Sequence, residues 1–192
     1  ESIDSVHLVL DSLLQAEIGF YDMEGFVTVG SHAFFFASTP DADWQLIRTD
    51  GTRTGTQIVR FEGEAVYPHE LVVYGSGVLF VARTDDHGDE LWFSDGTEGG
   101  TYRLSDINIG AGSSSIRNVT AFGSYAYFEA NANDGNGPQL YRVAQEGNLV
   151  VQKITSVSGG FVTGSMVATS THLFMSRYMG FISTRYRYQI YS

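Results

Sequence analysis

Residues 90–107 read "ELWFSDGTEGGTYRLSDI", and residues 45–61 read "QLIRTDGTRTGTQIVRF". The same turn is written twice, 45 residues apart. In each copy an apolar strand runs into Asp-Gly-Thr, then Gly-Thr, then a second apolar strand. An Asp side chain at such a place accepts hydrogen bonds from backbone N–H groups ahead of it. Glycine reverses the chain at positive φ without steric cost. Asp50, Gly51 and Thr52, and Asp95, Gly96 and Thr97, are therefore expected to be structural hairpin turns, with Gly96 and Gly100 both at positive φ. The functional alternative is a cation or sugar site at each turn.

Outward from the turn, the period continues. "VTVGSHAFFFA" from Val27, "VVYGSGVLFVA" from Val72, "VTAFGSYAYFEA" from Val119 and "MVATSTHLFMS" from Met166 align on Phe35, Phe80, Phe128 and Phe174, spaced 45, 48 and 46 residues apart. "WQLIRTD", "ELWFSDG", "QLYRV" and "YQIYS" align on Leu46, Leu91, Leu140 and Ile190. Each unit of about forty-six residues reads as strand, Gly-Ser turn, strand, polar loop, strand, DG-type turn, strand. No amphipathic helix is expected.

Repeated four-stranded units of this length predict an all-β fold, a four-bladed β-propeller. The blades span about 20–61, 62–107, 108–154 and 155–192 in one domain, 1–192. The fourth unit stops after its third strand, and Ser5–Leu13, "SVHLVLDSL", is similar to the outermost strand "TYRLSDI". It is expected to close the last blade, which removes an unpaired edge. The competing reading is a four-repeat piece of a larger propeller. The stretch Glu90–Ile107 closely resembles the ELWxxDGT repeat, found in tandem in secreted or surface-attached bacterial proteins. The likeness is good over Gln45–Val59, weak at "VAQEGN" (143–148) and absent from the fourth unit. It implies a propeller-like extracellular fold and no particular chemistry.

Composition narrows the classes further. All 22 acidic residues lie in 1–146 with seven Arg, and 147–192 carries only Lys153, Arg177, Arg185 and Arg187. An acidic body with no basic stripe argues against nucleic-acid binding. No apolar run is long enough for a membrane helix. The absence of Cys excludes thiol catalysis and thiolate metal sites. The chain opens at Glu1 without a start Met, which fits a processed secretory protein or a domain of a longer chain.

Candidate sites are sparse. The loops "STPDADW" (38–44), "RTDDHGDE" (83–90) and "NANDGNGPQ" (131–139) place oxygen-bearing side chains beside Gly, as a hard cation such as Ca²⁺ requires. Asp85, Asp89, Asn131, Asn133 and Asp134 are the candidate ligands, although no loop matches a full Asp-x-Asp-x-Asp-Gly pattern. No other cofactor is expected. Trp44 and Trp92 fall in the third strands and either pack between blades or stack on a sugar. In "RYMGFISTRYRYQIY" (177–191), alternation puts Tyr188 on one strand face and Arg185 and Arg187 on the other, where the arginines suit an anionic ligand. The five His are dispersed, and no zinc or nucleophile-elbow motif occurs. "GAGSSS" (110–115) lacks the Lys of a phosphate loop and reads as a connector.

The expected function is a non-catalytic, secreted binding module that recognises a glycan, small molecule or protein through its loop face or central channel. The channel would be lined by the first strands, near Val27, Leu71, Val119 and Met166. Two alternatives remain. One is a structural, self-assembling surface protein, a homo-oligomer suggested by the charge split. The other is an enzyme whose site converges from several blades.

Overall fold

Runs of β-branched and aromatic residues become strands here, and Gly, Asp and Asn break them. The computed structural model describes residues 22–39, 42–60, 66–144, 149–156, 163–182 and 185–191. Among these there is no helix, and four antiparallel sheets follow one another in chain order. The first holds β1 (Asp22–Val29), β2 (His32–Thr39), β3 (Ala42–Thr49) and β4 (Gln57–Ile58). The second holds β5 (Val66–Tyr74), β6 (Gly77–Thr84), β7 (Gly88–Ser94) and β8 (Thr101–Arg103). The third holds β9 (Arg117–Phe122), β10 (Tyr125–Ala130), β11 (Gln139–Ala144) and β12 (Val151–Lys153). The last has three strands, β13 (Thr163–Ala168), β14 (Leu173–Ile182) and β15 (Arg185–Tyr191). In every sheet the spatial order is the sequence order. Ser5–Leu13, expected as the closing strand, and 145–148, where the third turn was expected, lie outside the described residues.

The chain divides into two compact units, residues 1–84 with 92–102 and residues 85–91 with 103–192. In the first unit, β2 is buried on both faces. Phe34 and Phe36 join Leu46, Phe80 and Trp92 in one cluster, whereas Phe35 and Ala37 pack with Ile47 in another. The alternation of side chains across a strand sends the three consecutive Phe to both clusters. Phe36 meets Phe80 edge-on at 6.2 Å between centroids, and Phe80 stacks on Trp92 at 6.4 Å. The second unit buries Ala126, Phe128, Leu140 and Val143, with Phe128 stacked on Tyr141 at 5.8 Å.

Both Asp-Gly-Thr turns belong to the first unit, and they are built alike. Asp95 Oδ1 accepts from the N–H (2.8 Å) and the hydroxyl (2.7 Å) of Thr97. Thr97 Oγ1 then accepts from Gly100 N–H at 3.0 Å, and Thr101 donates its hydroxyl to Thr97 C=O at 2.6 Å. Asp50, Thr52, Gly55 and Thr56 repeat all four bonds, at 2.9, 2.7, 2.9 and 2.7 Å. The Thr52 hydroxyl, and after it the Thr52 N–H, hold the Asp50 carboxyl below its ordinary range. The turns are also joined to each other, since Gln57 Nε2 donates to Gly96 C=O at 3.0 Å.

The two glycines of the turn have different reasons. Gly96 has φ 90°, as does its counterpart Gly51 at 89°. Gly100 is not at positive φ, which corrects the sequence expectation. It is glycine because a Cβ there would overlap the Asp95 carboxylate, and Gly55 stands in the same relation to Asp50. A Cβ on Gly99 would meet nothing. Gly100→Ala is therefore expected to cost about 1–3 kcal/mol, and Gly99→Ala less than about 0.5 kcal/mol. Placing Gly100→Ala in an Asp95→Ala background should relieve most of its added cost. Chemical denaturation of the four proteins measures this, and strictly additive effects would refute the overlap.

Candidate functional site

The third strand of each of the first three sheets carries a buried or half-buried Glu or Gln just before its buried Leu: Gln45-Leu46, Glu90-Leu91 and Gln139-Leu140. The Leu carbonyl accepts a backbone bond from the segment that returns beside it, from Val59 (2.9 Å), Leu104 (2.7 Å) and Ile154 (2.8 Å). In the second and third repeats a hydroxyl continues the pattern. Ser105 Oγ accepts from Leu91 N–H, and Thr155 Oγ1 accepts from Leu140 N–H. These hydroxyls then donate to Glu90 and to Gln139, the latter at 2.9 Å. In the first repeat Arg60 replaces the hydroxyl, and Gln45 Oε1 has no hydrogen-bond partner among the described residues.

Glu90 is the only acid of the three, and it holds the most. Its fully buried carboxylate accepts from Ser105 Oγ and Ser114 Oγ. It also accepts from the N–H groups of Ile107 (3.1 Å) and Asn108 (3.4 Å). A buried carboxylate is tolerated only with such a set of donors. Ser114 is further tied by its N–H to Asp89 C=O (3.0 Å) and by its C=O to Asn131 N–H (2.7 Å). The Gly- and Ser-rich stretch read as a connector is thus fastened at Ser114, as it is at Gly110 and Ser113 by bonds to Asp106 and Asn108.

Fixing 104–108 creates one wall of a cleft in the second unit. Tyr141, Leu149–Val151 and Lys153 line it as well, and it is broad and open to solvent, with a volume of about 570 Å³. Burial first, and then the Asp134 and Glu90 carboxylates, raise the Tyr141 phenol above its ordinary value. Lys153 Nζ sits 3.2 Å from Asp134 Oδ2. The Asp134 carboxyl is held below its ordinary 3.8 by the Asn136 N–H foremost, then the Asn136 side chain and Lys153.

Beside the wall lies a second charged group. Arg103 Nη2 donates to His87 Nε2 at 3.2 Å, because a guanidinium can only donate. His87 Nδ1 stands 3.2 Å from Asp106 Oδ2, a polar contact without hydrogen-bond alignment. Arg103 Nη1 binds Ser105 C=O at 2.6 Å and lies 3.6 Å from the same Asp106 oxygen.

The residues singled out in the sequence are placed as follows. Trp92 is buried, and its indole N–H bonds Ala82 C=O at 3.2 Å. Trp44 is half-buried against the first core cluster. Asp85 is exposed in the turn before β7. Asn131 Oδ1 accepts from Asn133 N–H, and Asp134 Oδ1 from Asn136 N–H. Among the described residues no three His, Cys, Asp or Glu gather as a metal-ligand set. Arg185, Arg187 and Tyr188 lie on β15, where Arg185 is opposite Ile182 and Tyr188 opposite Tyr178. Sequence reasoning missed Glu90 as an anchor and the cleft residues Tyr141 and Lys153. The recurring Glu or Gln before Leu was the signal that could have found the first.

No family model and no curated protein matches the chain. Among solved structures it is similar to an alpha-L-arabinofuranosidase from Clostridium thermocellum ATCC 27405. The identity is 13% and the TM-score 0.35, over 94% of this chain and 70% of that one. That protein is an enzyme, and it overturns the expectation of a non-catalytic protein, which is withdrawn. A likeness this distant carries no reaction across either.

Glu90→Ala leaves four donors without their acceptor, and should cost about 2–4 kcal/mol in urea denaturation, with Glu90→Gln costing less. For Asp134 the folded carboxyl is the stronger acid, so its contribution is complete above about pH 4 and lost as pH falls through the folded value. The stability gap between wild type and Asp134→Asn should therefore close below the ordinary 3.8. A gap unchanged down to about pH 2 would contradict the shift.

Proposed function

We propose that this protein is a binding module and that its ligand occupies the cleft walled by Leu104–Ile107 and Leu149–Lys153. The observation that carries this reading is the wall itself. A buried carboxylate with four donors holds 105–108 in place, so the cleft is formed before a ligand arrives. Preformed sites avoid the ordering cost of binding. Apolar side chains supply contact area, and Lys153 and Tyr141 supply donors, the usual division of labour in a ligand site.

The wider architecture proposed is a four-bladed propeller of the secreted type, with Ser5–Leu13 completing the fourth blade. Four consecutive antiparallel sheets, each in sequence order, support it. So does a repeat of about forty-six residues.

A binding screen by thermal shift and calorimetry against glycans, small metabolites and short peptides tests the reading. A ligand of the cleft should lose about tenfold or more in affinity on Lys153→Ala, the worth of one charge-assisted hydrogen bond. Tyr141→Phe should weaken it by a smaller factor. A ligand indifferent to both substitutions, or no ligand at high protein concentration, would overturn the assignment.

A further inference from the structure

β12 is the outermost strand of its sheet, and among the described residues it pairs only with β11. The register sets Val151 opposite Val143, Gln152 opposite Arg142 and Lys153 opposite Tyr141. Just beyond it, Ile154 gives its N–H to Leu140 C=O. In an antiparallel pair, alternate residues direct both backbone groups to the partner. Ile154 and Gln152 therefore face β11, and Val151 and Lys153 turn their N–H and C=O to the open edge. These same two residues line the cleft.

We propose that the ligand of this cleft is an extended peptide, added as a fifth strand to the outer edge of β12. The inference rests on the reading that the cleft is a binding site, and it specifies the chemical class. The geometry favours a strand over a compact molecule on two counts. The edge offers two donors and two acceptors at the spacing of alternate strand residues, which a peptide backbone matches and a sugar ring does not. A new strand would also continue the row of side chains formed by Tyr141, Val151 and Lys153. Its alternate side chains would then fill the space facing Leu104 and Ile107.

The lining sets the sequence of that peptide. Leu104, Ile107 and Val151 ask for apolar side chains at alternate positions. Lys153 asks for a carboxylate at the position beside it, in exchange for Asp134. Asp106 already has Arg103 and His87 as partners, so the peptide needs no cation of its own.

The probe is a pool of octapeptides with Val, Leu or Glu at alternate positions and Thr between them. It is read by fluorescence anisotropy against the full chain. A bound peptide should weaken tenfold or more when every second residue is N-methylated in one parity, and change little in the other. Val151→Pro should weaken it comparably while leaving the stability near wild type, because the N–H it removes is not used by β11. The N-methyl series needs no variant and decides the matter if that one fails to fold. Binding that ignores parity overturns the inference. So does a Lys153-sensitive glycan or metabolite with no peptide bound, an outcome that leaves the cleft reading standing. No cleft ligand of any class overturns both.

Discussion

A carboxylate cannot be buried without company, and most of what is distinctive in the second unit follows from that constraint at Glu90. Two serine hydroxyls and two backbone N–H groups converge on it from 15 to 24 residues downstream. The chain after β8 is thereby folded back against β7, and 104–108 acquires a fixed path. Gln139 does the same office in the third repeat with a single hydroxyl, from Thr155. Gln45 in the first has Arg60 where the hydroxyl would stand. The position thus holds the returning segment in the second and third repeats, with four donors at Glu90 and one hydroxyl at Gln139, while Gln45 Oε1 has no such partner among the described residues.

The Asp-Gly-Thr turns are independent of that network. Apart from the Gln57 bond that joins them, their bonds close within eight residues. This locality is why the turn could be read from the sequence down to the atoms that accept. The strands were legible for a related reason. Alternation and β-branched composition report on the immediate environment of each residue, and Phe35, Phe80 and Phe128 are fully buried in the middle strands as the period required.

What escaped the sequence is what depends on distance. Glu90 reads as one letter of a repeat motif until Ser105 and Ser114 are seen beside it. Tyr141 and Lys153 are unremarkable strand residues, and the cleft exists only because 104–107 is brought opposite them. Gly100 was assigned the right residue type for the wrong cause, since a glycine's need for space across a turn is not distinguishable from its need for positive φ in a string of letters. The Asn- and Asp-rich loop shows the converse. Its side-chain oxygens stand out in the sequence, and what the letters do not show is that Asn131 and Asp134 accept from backbone N–H groups two residues ahead.

The cleft also differs from the turns in how its polar groups are held. Around each Asp-Gly-Thr the donors and acceptors satisfy one another, which leaves little for a ligand. In the cleft, burial and then two carboxylates raise the Tyr141 phenol above its ordinary value. Lys153 is held by one exposed partner rather than by a network. An exposed ion pair is worth little, on the order of 1 kcal/mol or less, so Lys153 is released from Asp134 to an incoming carboxylate at small cost. A strand edge whose outward groups have no partner among the described residues gains more. Adding a backbone to it supplies partners for its outward N–H and C=O groups. The shared elements of the repeat make the sheet, and the residues peculiar to the second and third repeats make its edge a place to bind.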